Sequence, residues 1–171
     1  MEKKYKLLKN DENILIIDGI RLHRIQALVD IPRFSVKKGD LGGFIEHHDN
    51  LSHFGSAWVS ESARVSGSAW VSDGAMVSGS AWISARACVS ARACVCDNAC
   101  VFDSARVSDS ARVSGSARVF GSACVSGSAC VSGNVILDGS IRLEDNIVLK
   151  EGIYSNVISI KTLEELRGYE V

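Results

Sequence analysis

The sequence predicts an all-β chain wound as a triangular parallel β-helix, and three observations carry that prediction. Alanine recurs at every sixth residue from Ala57 to Ala129. Each alanine is followed two places later by Val or Ile, from Ala57/Val59 to Ala129/Val131, and the register loosens into Val135/Leu137, Ile141/Leu143 and Ile147/Leu149. The pairs that close the units are mostly Gly-Ser, Asp-Gly, Asp-Asn, Asp-Ser or Ala-Arg, and most of these residues suit turns. A six-residue period sustained over this length is a mark of parallel β-helices.

Within one unit, such as Ala63-Arg64-Val65-Ser66-Gly67-Ser68, the first four residues alternate between inward and outward places, as a strand requires. A four-residue strand and a two-residue corner, taken three times, close a coil of eighteen residues. Val and Ile stack inside, with Ala beside each corner. At about 4.8 Å per coil, nearly six coils make a prism on the order of 27 Å tall.

The flanks lack the period, so the chain divides into an N-terminal β-rich cap over 1–50, the repeat over 51–154 and a C-terminal cap over 155–171. In the first flank, Tyr5 to Leu8, Ile14 to Ile17 and Ile20 to Leu28 read as strands, and Asn10-Asp11 and Asp18-Gly19 as hairpin turns. Lys38 to Gly43 reads as a loop leading into Phe44-Ile45. A solenoid end exposes unpaired backbone and apolar core, so a cap is physically required. Beyond the repeat, Val157 to Ile160 reads as a last strand, and Thr162-Leu163-Glu164-Glu165 has capping-box spacing for a short helix through Leu166.

Lys and Arg number 19 against 20 Asp and Glu, interspersed, so no field for nucleic acid or a membrane surface is expected. Ile14 to Ile17 is far too short to span a bilayer, and no signal peptide is read, so a cytoplasmic protein is expected. Cys88, Cys94, Cys100, Cys124 and Cys130 occupy outward slots, each with a residue other than cysteine eighteen places away. Cys94 and Cys96 lie roughly 7 Å apart along one strand. Reduced thiols fit better than a disulfide framework.

Read from its aliphatic position, Val65-Ser66-Gly67-Ser68-Ala69-Trp70 resembles the hexapeptide repeat of left-handed parallel β-helices, over roughly 51–154. That resemblance alone implies the left hand, since ordinary crossovers are right-handed. Arg24 to Leu28, Val36 to Glu46 and Asn50-Leu51-Ser52 are similar to the leader of a family of bacterial and phage-borne β-helix proteins. The resemblance implies architecture and a mobile-element origin, and supplies no catalytic residues. Acyltransferases, γ-class carbonic anhydrases and non-enzymatic proteins share the repeat, so it does not decide function.

Enzymes of that fold place a histidine at a subunit boundary. Here His23, His47, His48 and His53 all precede the regular coils, and no loop interrupts Ala57 to Leu149 to fold over a substrate. A zinc site would need three histidines converging, so neither metal nor cofactor is expected. The competing enzymatic reading is a hexapeptide acyltransferase-like protein using His53 or a neighbour as base.

Sorting outward residues by position modulo eighteen gives three faces. The first carries Trp58, Met76, Cys94 with Cys96, Arg112, Cys130 and Val148; the second carries Trp70, Cys88, Arg106, Cys124 and Arg142. The third carries Arg64, Trp82, Cys100 with Phe102, Arg118 with Phe120, Ile136 and Tyr154. A run of aromatics flanked by arginine has the composition of a binding hot spot.

These observations lead to a non-enzymatic, rigid, homo-oligomeric scaffold for binding a protein or small ligand, with a trimer favoured. The expected subunit interface is Trp82, Cys100, Phe102, Arg118, Phe120, Ile136 and Tyr154. Trp58, Trp70, Arg106, Arg112 and Arg142 are candidate ligand-binding residues, where arginine beside an aromatic ring suits a small anion. The phage resemblance adds a specific version, a counter-defence factor that occludes a host protein or sequesters a nucleotide signal.

Overall fold

The computed structural model describes residues 3–155, and the strand and helix expected after Ser155 lie outside them. Strands β1 (Tyr5–Leu7), β2 (Ile14–Ile17), β3 (Ile20–Ala27) and β4 (Leu41–Ile45) precede seventeen two-residue strands, from β5 (Trp58–Val59) to β21 (Ile153–Tyr154). The short strands form three parallel sheets, so the coil is three-sided and the chain makes a β-solenoid of about six turns. One sheet stacks Trp58, Met76, Cys94, Arg112, Cys130 and Val148. The next stacks Trp70, Cys88, Arg106, Cys124 and Arg142. The third runs through Arg64, Trp82, Cys100, Arg118 and Ile136. Each of these steps is eighteen residues.

Alanine and the aliphatic residue of every unit are buried, and together they form one continuous core. Corners begin with a residue in the left-handed region, for example Gly67 at φ 63° and Asp97 at φ 60°. At Gly67 a side chain would also meet the carbonyl oxygen of Ala85 at 3.0 Å. Ala85 and Ala91 take φ 57° and 58° without glycine's freedom, at a cost of roughly 1 kcal/mol each. Carboxylates staple successive corners. Asp97, Asp103 and Asp109 accept the backbone N–H of Gly115, Gly121 and Gly127 at 2.9, 3.2 and 3.1 Å.

The eighteen-residue step fails at both ends. Phe44 of β4 pairs in parallel with Arg64, twenty residues on, so the N-terminal segment supplies the first strand of the third sheet. β3 pairs antiparallel with β1, β2 and β4, which makes that sheet ten-stranded. The loop expected over Lys38 to Gly43 gives way to strand from Leu41. Gly42 and Gly43 lie within it because a Cβ at either would come within 2.6 Å of a carbonyl oxygen, of Val59 or Ala63.

At the upper end Ile136 pairs with Ile153, a step of seventeen, so Leu137 stacks on Tyr154. Tyr154 therefore points inward, 4% exposed, and does not lie on the third face; Ile153 takes the outward place at 56%. A strict hexad would bury Ser155 in the aliphatic slot. Dropping one residue buries an aromatic ring instead, and the Tyr154 hydroxyl donates to the Glu151 carbonyl at 3.1 Å.

Trp58 is corrected in the same way. It occupies an outward slot, yet it is 1% exposed and belongs to the same buried cluster as Tyr5, Ile25 and Ile31 of the cap. It is core and cannot line a surface ligand site.

Candidate functional site

The third sheet displays two outward columns. One runs Phe44, Arg64, Trp82, Cys100, Arg118, Ile136 and Ile153 in register. The other, two residues further along each strand, runs Glu46, Ser66, Ser84, Phe102, Phe120 and Asp138. On two adjacent coils large and small side chains change places, Trp82 beside Ser84 and Cys100 beside Phe102. The small pair leaves a diagonal trough of about 300 Å³ lined by Trp82, Ser84, Cys100, Phe102 and Arg118.

Its walls are fixed. The Trp82 indole N–H donates to the Ser66 hydroxyl oxygen at 3.2 Å, and Ser66 is itself buried. Phe102 and Phe120 stack with ring centres 4.8 Å apart and planes 5° from parallel. The Arg118 guanidinium lies over Phe102, 5.7 Å from the ring centre. No ion pair among the described residues engages Arg118. On the far side of Trp82, Arg64 has a buried Nε with no hydrogen-bond partner. The run continues into the cap, where Arg24 sits 5.4 Å from the Phe44 ring centre.

Of the residues predicted for the subunit interface, Trp82, Cys100, Phe102 and Arg118 come together around the trough, and Phe120 and Ile136 continue the face above it. Ser84, Arg24 and Phe44 were missed by the sequence reading. The Phe44-Ile45 pair carries the outward–inward signal of the repeat, but its twenty-residue offset hides it. The candidate ligand residues are not brought together. Trp70, 43% exposed, and Arg106 are separated by Cys88 on the second face. Arg142 meets Glu144 at 3.7 Å, and Arg112 belongs to the first face.

The six cysteines are free and half-buried. Burial, then the neighbouring Cys94 and Asp97, push the Cys96 thiol up to about 12, so it is a weak nucleophile near neutrality. Among the described residues no group of three or more His, Cys, Asp or Glu converges as a metal site. None of their helices is long and apolar enough to cross a membrane.

Neither a protein-family model nor a curated protein matches this chain. His53, the acyltransferase candidate, serves the cap: its Nδ1 accepts the Lys4 backbone N–H at 3.2 Å and its ring stacks on Tyr5 at 4.3 Å. Burial lowers its pKa, with the His48 charge adding to the effect.

Proposed function

We propose that the protein is a rigid, non-enzymatic scaffold whose third face is its contact surface, and that copies associate through the upper, predominantly apolar stretch of that face, which Asp138 borders. The observation that carries this reading is the locked aromatic run on a flat sheet: Phe102 stacked on Phe120, with Ile136 and exposed Ile153 above. An ordered apolar strip of this kind loses little side-chain entropy on association and gains from leaving water. The strip sits on backbone paired on both edges through most of its length, so it presents one shape. A trimer is the favoured form, consistent with the resemblance of the repeat to left-handed hexapeptide helices. The leader's likeness to phage-borne β-helix proteins supports a counter-defence role, in which the scaffold occludes a host protein or withholds a small anionic signal.

Light scattering coupled to size exclusion tests the association. The native chain should elute as a multiple of 18.3 kDa, three-fold for the trimer, and Phe120→Asp with Ile136→Asp should elute at 18.3 kDa while keeping its β circular dichroism. A folded double variant of unchanged mass, or a monomeric native protein, would remove self-association from the proposal.

A further inference from the structure

The lower half of the third face differs from the apolar strip above it, because it is both aromatic and positively charged. We propose that the trough between Trp82 and Phe102 binds a flat aromatic ligand bearing an anionic group, about the size of a mononucleotide. This deepens the scaffold reading and rests on its assignment of the third face as the contact surface.

Three features of the trough point to that chemistry. Its volume, about 300 Å³, lies at the lower end of the range for small-ligand pockets. Its walls are ring faces and edges already held in place, by the Ser66 hydrogen bond at Trp82 and the Phe120 stack at Phe102. A flat ring entering there would meet aromatic surface without a conformational cost to the walls. Finally, the polar groups at its rim are cationic or neutral: Arg118, which has no carboxylate partner among the described residues, Ser84 and Cys100.

Charge complementarity then selects an anion. The outward column from Phe44 to Ile153 holds Arg64 and Arg118 and no carboxylate. The acids of the neighbouring column, Glu46 and Asp138, and Asp103 at the corner turn their carboxylates to the N–H groups of Gly67, Gly139 and Gly121. A second copy laid over this half would bring Arg64 and Arg118 against their own counterparts, which is unfavourable. An anionic group instead gains a planar, two-pronged donor in Arg118. Its ring can stack on the indole of Trp82, whose neighbouring Arg64 adds positive potential.

Calorimetric titration of the full chain with adenosine 5′-monophosphate and with 2-naphthoate tests the proposal, alongside tryptophan fluorescence to report on Trp82. Uncharged adenosine and ring-free inorganic phosphate serve as controls. At least one charged aromatic probe should bind and quench fluorescence, with adenosine and phosphate each at least about ten-fold weaker. Arg118→Gln should weaken binding about ten-fold with the melting temperature unchanged, Arg118→Lys should restore part of it, and Trp82→Leu should abolish it. Failure of both charged probes, equal binding of phosphate, or full affinity in a folded Arg118→Gln variant would overturn the trough assignment. Repeating the titration on Ile136→Asp with Ile153→Asp, neither of which lines the trough or holds its walls, separates the two proposals. A monomer that still binds leaves the trough standing whatever the native mass, and an associating native chain that binds neither probe removes the trough alone.

Discussion

In the N-terminal cap, Lys4, Tyr5, Asn50 and His53 each make hydrogen bonds that occur once, whereas from Ala57 to Leu149 the interior repeats one pairing of a small or branched residue with an aliphatic one. Asn50 is fully buried; its side-chain oxygen accepts the N–H groups of Glu46 and His47, and its amide donates to the carbonyls of Gly67 and Ala69 at 2.9 Å. Lys4 donates to the Ala57 carbonyl at 2.7 Å, and burial pulls its ammonium down to about 8. The Tyr5 hydroxyl donates to the carbonyls of His48 and Leu51. In the repeat, by contrast, backbone pairs with backbone from coil to coil, and apolar side chains fill the interior. The difference teaches where specificity resides. A repeat can pair with any coil like itself, so its starting register has to come from polar contacts that tolerate no shift.

That contrast can be broken most sharply at Asn50. Asn50→Ala removes four side-chain hydrogen bonds, leaving the carbonyls of Gly67 and Ala69 and the His47 N–H without this partner, and should cost about 3 kcal/mol in urea unfolding. Val101→Ala, which only thins the interior of one middle coil, should cost about 2 kcal/mol. Equal or reversed losses would mean that the cap does not set the register.

Acid should act on the cap before the repeat. Burial lowers the pKa of both His48 and His53 from the ordinary 6.5, with the Lys3 charge next for His48 and the His48 charge next for His53. Between the lowered value and 6.5 the unfolded chain binds more protons than the folded one. The stability tied to these rings is therefore fully present above 6.5 and is lost as the pH falls below it. Protonation would also displace the Lys4 N–H from His53 Nδ1. Melting followed from pH 7 to pH 5 should fall more steeply in the native chain than in His48→Gln with His53→Gln; identical slopes would refute the assignment.

The smallest effect sharpens the repeat side. Ala91 sits at φ 58°, so Ala91→Gly should stabilise by about 0.5 kcal/mol in denaturant titration. A loss of stability there would show that the corner methyl packs better than its backbone strain costs.

Most of the solenoid was legible in the sequence because a fixed period leaves each side chain one place to go. The three columns followed directly from residue number, and the grouping of Trp82, Cys100, Phe102 and Arg118 came with them. What escaped were positions where the period slips or another segment intervenes. Tyr154 reads as outward until one residue is dropped to bury its ring, and Trp58 reads as outward although the structure buries it. The trough depended on Ser84, which no motif singles out; it matters only as the small neighbour of Trp82.

The rung length has a hereditary consequence. Duplicating or deleting one eighteen-residue unit between Ala57 and Leu149 would change the height and leave every column on its side. A six-residue slip would keep the interior equally well filled, yet turn everything beyond it by one side of the triangle. Arg118 would then part from Trp82 while the chain still folded, so replication errors in this gene can redesign the surface without disturbing the core.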